Sequence, residues 1–319
     1  MKLCVIGASG LMGRSLVARL ADDKDLRITA TSRNTPAARR PPGTEGGVQW
    51  LRADLNSPAD CERVVADQDA ILHLAHTHTP LTSDANMASD AALNLIPTLN
   101  LLQAIKESGR VSHLIYPSSG GSVYGETRSN DPFTEQSACV PVSSYGLQKL
   151  AAEQYIRLHA ERGYLTASVL RIANAYGWFH SLDRGQGLIG NAVQRALNRM
   201  PIAIIGNPDN VRDYIHIDDV FRAFRACLTR RVGFEVFNIG TGVGSSVLEV
   251  VSVIERLTGT TAGRSLEANE RTRLLVGRCV LDSGKARREL GWRYRIGLED
   301  GIKAMLAETR GERPPGAQK

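Results

Sequence analysis

The sequence predicts an α/β fold: a doubly wound parallel sheet with a smaller second lobe interleaved with it. Short apolar runs alternate with longer helical patterns through the first half, a glycine-rich turn follows the first apolar run at once, and 319 residues exceed one compact domain. A strand-helix-strand cadence means parallel strands, because each helix carries the chain back to the edge it left.

In order, Leu3 to Ile6, Ile28 to Thr31, Gln49 to Leu51, Ala70 to Leu74 and His113 to Tyr116 read as strands. Leu11 to Leu20, Ala59 to Ala66, Ala91 to Lys106 and Tyr145 to Arg162 carry apolar residues at helical spacing and are long enough to cover the sheet. After Leu170 the cadence loosens, and Asp183-Arg184-Gly185-Gln186-Gly187 marks a crossing into the second lobe. Glu235 to Ile239, closed by Gly240-Thr241-Gly242, reads as a return to the sheet, and Ser246 to Leu257 as a capped helix of the outer lobe. The expected division is a sheet domain over 1–177 rejoined by 210–243, an outer lobe from 178–209 and 244–310, and a loose Pro/Gly-rich tail over 311–319.

Composition narrows the function. With 42% hydrophobic and 23% charged residues the chain is ordinary globular material. A formal charge of +6 is spread over scattered arginines without a nucleic-acid-binding motif, so anionic small molecules are the expected partners, and neither nucleic acid nor membrane is. The opening apolar run is too short for a signal peptide, which points to the cytoplasm. Five cysteines without CxxC spacing (Cys4, Cys61, Cys139, Cys227, Cys279) support neither a disulfide framework nor a metal site.

The turn Gly7-Ala8-Ser9-Gly10-Leu11-Met12-Gly13 lies between a strand and a helix. Gly7 permits the tight turn, Gly10 lets backbone amides approach a pyrophosphate, and Gly13 lets helix and strand pack closely. The helix N-terminus adds partial positive charge. A ligand-free glycine turn is the competing reading. The GxxGxxG spacing resembles that of the extended short-chain dehydrogenase/reductases, which implies a Rossmann domain and a nicotinamide cofactor held by Gly7, Ser9, Gly10, Leu11, Met12 and Gly13. The second strand ends in Thr31-Ser32-Arg33, without the acid that would repel a 2′-phosphate; Ser32 can hydrogen-bond that group and Arg33 can pair with it, which favours NADP over NAD. The alternative is that Arg33 stacks on adenine or is merely solvated. The same resemblance puts Asp54-Leu55 at the adenine, and Leu74-Ala75-His76 beside the cofactor. Alternation separates His73 from His76, so His73 to His78 is not read as a metal cluster. His78 falls where some related epimerases carry a sugar-contacting lysine.

Tyr145 and Lys149 lie four apart at the start of a helix, on one face. A phenol titrates near ~10, so using it as a base at neutral pH needs a drop of roughly 3 units, about 4 kcal/mol, which Lys149 and an oxidised nicotinamide can supply. A YxxxK spacing is common by chance; its weight comes from the strand and hydroxyl-rich turn Tyr116-Pro117-Ser118-Ser119-Gly120-Gly121-Ser122-Val123-Tyr124-Gly125 upstream. Relatives place a catalytic Ser or Thr where this chain has Gly120. Period-two alternation selects Ser122 as the replacement, with Ser119 the alternative if the strand has already turned; all the serines could instead only cap the turn. Sugar dehydratases of the family carry an Asp-Glu pair before the Val-Tyr-Gly, and Gly121-Ser122 cannot serve for it.

Asn174 in Arg171-Ile172-Ala173-Asn174-Ala175-Tyr176-Gly177 and Arg212 in Arg212-Asp213-Tyr214 match family segments that hold a substrate diphosphate, with an ion pair to Asp213 or its neighbours the structural alternative for Arg212. Arg271 lies near a second phosphate-binding position, in a poorly matching context. The resemblance spans almost the whole chain. It implies a nucleotide-sugar enzyme, a homodimer built on helices Ala91 to Lys106 and Tyr145 to Arg162, and most closely a UDP-hexose or UDP-N-acetylhexosamine 4-epimerase. An NADPH-dependent reductase of an NDP-4-ketosugar and a non-catalytic NADP-sensing protein are the alternatives.

Overall fold

The computed structural model describes residues 1–33, 47–110, 112–127, 129–177, 187–267, 272 and 275–309. Arg271 and the tail 311–319 therefore lie outside the described residues. In chain order the strands are β1 Lys2–Ile6, β2 Arg27–Ser32, β3 Val48–Arg52, β4 Ala70–His73, β5 Ser112–Ser119, β6 Leu165–Ile172, β7 Asn174–Tyr176, β8 Ile202–Ile205, β9 Val211–His216, β10 Phe234–Ile239, β11 Gly244–Ser246, β12 Arg264–Glu267 and β13 Arg278–Cys279. The helices are α1 Leu11–Leu20, α2 Pro58–Val65, α3 Met87–Asp90, α4 Ile96–Glu107, α5 Gly120–Val123, α6 Ser144–Glu161, α7 Leu188–Leu197, α8 Ile217–Thr229, α9 Val247–Thr258, α10 Gly284–Leu290 and α11 Leu298–Thr309.

Among the described residues, seven parallel strands form the main sheet in the order β10-β6-β5-β4-β1-β2-β3. This is a Rossmann-like α/β sheet, and its order reverses between β1 and β4, where the carboxyl ends open a crevice. Near-continuous burial of β1, β4, β5 and β6 follows from helices covering both faces. One core, with Leu16, Val17, Val220 and Phe224, fills the side of α1 and α8; another, with Cys61, Leu101, Leu102 and Ile156, fills the side of α2, α4 and α6.

β10 joins the main sheet, whereas β9 does not: it pairs with β7, β11 and β13 in a second sheet. A third core, including Ile189, Val193, Ile204, Val250, Ile254 and Met305, packs α7, α9 and α11 around β8. Ser246 caps α9 through a reciprocal box with Glu249, the expected helix start. The pattern over Ala91 to Lys106 differs from the expected single helix, because α3 and α4 are joined by a π-turn over Ala91–Leu95. That bulge redirects the first turn, bringing Asp90 against α6.

Candidate active site

The glycine turn follows β1 into α1 with Gly7 at φ +80°, a backbone state that disfavours a side chain. Any Cβ there would stand 2.6 Å from the Ala75 amide, and one at Gly13 would stand 2.4 Å from the Gly7 carbonyl. Strand, turn, helix and the Leu74-Ala75 segment are thus in backbone contact. Gly10 begins α1 without a side-chain cap, leaving first-turn amides for a ligand. Ser32 and Ser9 face each other across the crevice with hydroxyls 3.0 Å apart, while Arg33 is exposed. Asp54 is exposed and accepts from the Asn56 amide at 3.0 Å, with Leu55 buried beside it. These residues fit a dinucleotide: backbone donors at a helix start, no Cβ in the cradle, and hydroxyls at the end of β2.

Tyr145 and Lys149 lie on the first turns of α6, facing the carboxyl ends of β4 and β5. Ser143 caps the helix, and Ser83 and Asp84 accept from the amides of Tyr145 and Ser144 at 3.1 and 2.8 Å. Lys149 Nζ donates to the Pro117 carbonyl at 2.9 Å and stands 5.8 Å from the Tyr145 ring centroid. Burial pushes the ammonium down to about 8, with Glu153 acting in the opposite sense. Tyr145 is pushed up to about 12 by burial; a hydrogen bond with Ser119 opposes that, and the Asp90 charge adds to it. The protein's own groups therefore do not ready the phenol for base chemistry. A positive nicotinamide ring acts in the required sense.

β5 ends at Ser119, and Gly120 already opens α5, so the alternation that put Ser122 on the face of position 120 does not extend that far. Ser119 is the hydroxyl that acts to lower the pKa of the Tyr145 phenol, and its Oγ donates to Ser122 Oγ at 3.2 Å. Ser122 is buried behind it. A Cβ at Gly120 would meet Leu281 Cδ1 at 2.5 Å, so a side chain there would have to displace the end of Leu281.

The three histidines part company. His73 is buried and bonded to Thr98 Oγ1 at 3.0 Å. His76 sits edge-on to Tyr145 with centroids 4.8 Å apart; its Nε2 is buried without a partner, and burial, reinforced by Lys149, holds the imidazole well below its usual range. His78 Nδ1 lies 2.8 Å from Asp90 Oδ1. No group of three or more His, Cys, Asp or Glu arranged to hold a metal ion occurs among the described residues.

On the lobe side, the Asn174 amide donates to the Asp213 carbonyl at 3.2 Å and lies 3.7 Å from where a Cβ on Gly121 would be, so it borders the serine turn. Arg212 does not pair with Asp213, whose carboxylate accepts from Thr241, Gly242 and Leu281. Its guanidinium instead donates to the carbonyls of Val211 at 2.9 Å, Gly277 at 3.4 Å and Val276. No carboxylate lies within ion-pairing distance of it among the described residues, so its charge is free for an anion. Sequence reasoning missed Ser83, Asp84 and Asp90, which hold the start of α6; no periodicity or motif marks them, because their role comes from a contact about sixty residues away.

A crevice at the switch point of a parallel sheet, glycines around a helix start, and a Tyr-Lys pair with serines beside it are the arrangement of the short-chain dehydrogenase/reductase type. The model of the NAD dependent epimerase/dehydratase family matches residues 3–240, and the chain belongs to that family. It is 34% identical over 312 residues to a dTDP-4-dehydro-6-deoxyglucose reductase of Escherichia coli, covering 96% of each chain. Among solved structures it is similar to the UDP-glucose 4-epimerase of Thermotoga maritima with UDP-glucose, at TM-score 0.89 and 28% identity over 98% of this chain and 99% of that one. It is similar too to MoeE5 in complex with UDP-glucose and NAD, at TM-score 0.86 and 30% identity, covering 98% of this chain and 99% of that chain. The named relatives and neighbours of the chain in this family are enzymes of dTDP- and UDP-sugars. No helix among the described residues is long and apolar enough to cross a membrane.

Proposed function

We propose that the chain is a UDP-hexose or UDP-N-acetylhexosamine 4-epimerase in which Tyr145 exchanges a proton with the sugar 4-hydroxyl, Ser119 shares that hydroxyl, and Lys149 supports the phenolate from below. The observation that carries this reading is the placement of Tyr145 and the buried Lys149 on the first turns of α6, with Lys149 bonded to the Pro117 carbonyl of β5 just before the Ser119–Ser122 turn. A nicotinamide held there would supply reversible hydride transfer at the sugar carbon. Gly7, Ser9, Gly10, Leu11, Met12, Gly13, Leu74, Ala75 and His76 would hold the cofactor, with Asp54 and Leu55 at adenine. Ser32 and Arg33 favour NADP over NAD, since neither is repelled by a 2′-phosphate. Arg212 and Asn174 would take the diphosphate, and the absence of an acid-base pair at Gly121-Ser122 argues against dehydration. Exposed Ile96 on α4 and Leu147, Tyr155 and Leu158 on α6 favour a homodimer through those helices.

A second reading, reduction of an NDP-4-ketosugar, is favoured by the 34% identity to a reductase and by the absence of an acid at the end of β2. Cofactor stoichiometry separates the two. Interconversion of UDP-hexose epimers at catalytic cofactor levels, with no sustained absorbance change at about 340 nm, is the expected result. Stoichiometric NADPH oxidation on adding an NDP-4-ketosugar, with every UDP-hexose left unepimerised, establishes the reductase instead.

A further inference from the structure

Asp90 is fully buried at the end of α3, and among the described residues no Lys or Arg lies within ion-pairing distance of it. Its Oδ1 accepts from His78 Nδ1 at 2.8 Å and from Asn94 Nδ2 at 2.7 Å. Its Oδ2 accepts from Ser144 Oγ at 2.8 Å and from Gln148 Nε2 at 2.7 Å. Ser144 and Gln148 directly precede Tyr145 and Lys149, so one carboxylate ties the His78 segment to the first turns of α6. Asn94 also accepts from the Thr77 amide at 2.7 Å through its Oδ1, fixing the backbone one residue before the imidazole.

A carboxylate can only accept, so the imidazole nitrogen facing Asp90 carries the hydrogen. That leaves Nε2 as the exchanging atom, on a side chain that is 25% exposed and makes no hydrogen bond through Nε2 among the described residues. Two residues earlier, His76 touches the Tyr145 ring, which places His78 on the rim of the same site.

We propose that Asp90 is a positioning residue that holds His78 with its hydrogen on Nδ1, so that Nε2 faces and bonds a hydroxyl of the hexose next to the reacting carbon. The assignment rests on the nucleotide-sugar reading and deepens it: the sugar is gripped between Tyr145 and a histidine whose orientation is set by the same carboxylate that sets α6. A site built to bond a hydroxyl discriminates against the deoxy analogue, because the buried polar group is then left unpaired. Replacing an orienting carboxylate by its amide offers the imidazole a donor and reverses the tautomer.

The test uses the full chain with Asp90→Asn and His78→Gln. Heteronuclear NMR of the imidazole nitrogens under alkaline conditions needs no substrate: the wild type is expected to show His78 with hydrogen on Nδ1, and Asp90→Asn to move it to Nε2. Hydrogen on Nε2 in the wild type overturns the proposal. In steady-state assays both variants are expected to raise KM for the sugar nucleotide about tenfold while cofactor affinity stays unchanged, the loss of one hydrogen bond. Unchanged KM with reduced kcat and reduced cofactor affinity means that Asp90 serves only α6, which also overturns it. His78→Gln decides the matter if Asp90→Asn does not fold. A wild type inert toward every UDP-hexose and NDP-4-ketosugar, with His78 still Nδ1–H, removes the nucleotide-sugar reading and the sugar contact with it, while the tautomer assignment stands.

Discussion

Glu153 on α6 and Arg171 on β6 form a buried forked ion pair, with Nη2 2.7 Å from Oε2 and Nε 3.2 and 3.1 Å from the two carboxylate oxygens. Ser118 Oγ also donates to Glu153, and Arg171 Nη1 donates to the Tyr124 hydroxyl at 3.1 Å. The pair lies one helical turn beyond Lys149 and locks α6 to the center of the sheet.

Glu153→Gln should therefore destabilise the fold by about 3–5 kcal/mol, because Arg171 stays buried without its counter-charge. It should also move the alkaline limb of the activity profile to lower pH, since Glu153 is the charge that opposes the burial effect on Lys149. Denaturant melts and a pH profile check both. A loss of stability below about 1 kcal/mol would mean that the pair is not desolvated as described.

Lys149→Met should abolish turnover yet leave the fold at least as stable near neutral pH. The folded-state pKa of Lys149 is depressed, to about 8 from 10.5, so the charged form is unfavourable in the fold. The cost is full below about 8, is relieved as the pH rises through the window up to 10.5, and is gone above it. The stability of the wild type relative to Lys149→Met should accordingly rise with pH across that window. Thermal melts of both proteins through it give the sign directly.

Tyr145→Phe should keep cofactor affinity and lose about 10²–10⁴-fold in kcat, since the ring packing survives and the proton carrier does not. Ser119→Ala should cost about 10²-fold, and more than Ser122→Ala, because it is the Ser119 hydroxyl that opposes the burial effect on the Tyr145 phenol. Period-two reasoning gave the opposite order. Single-turnover rates with saturating cofactor decide between them.

Arg212→Lys should raise KM for the nucleotide sugar about tenfold or more while cofactor affinity holds. An ammonium cannot span the carbonyls of Val211, Val276 and Gly277 and still present a planar fork to a phosphate. Product-inhibition by free UDP should weaken in parallel. Equal inhibition in both proteins would place the phosphate elsewhere.

Much of the sheet was legible from the residues: the glycine turn, Ser246 as a helix start and the Tyr145 helix all stand where local pattern put them, within a residue or two. The single helix expected over Ala91 to Lys106 was not, because a π-turn depends on what the helix packs against, and its apolar spacing survives the bulge. Gly120 read as a missing hydroxyl, and only the tertiary structure shows that Leu281 packs where a Cβ there would stand.

The sequence by itself determined the parallel sheet, the glycine turn between β1 and α1 and the Tyr145–Lys149 spacing, because each is written in a run of neighbouring residues whose periodicity or backbone freedom acts locally. Tertiary structure alone decided that β5 ends at Ser119 with Ser122 bonded behind it, that Arg212 stays free of Asp213, and that Asp90 joins His78 to the helix of Tyr145 and Lys149. Those relationships join residues that are far apart in the chain, or turn on where a strand ends. They are fixed by the burial of polar groups that must find partners once the core has closed, and no spacing along the chain records that.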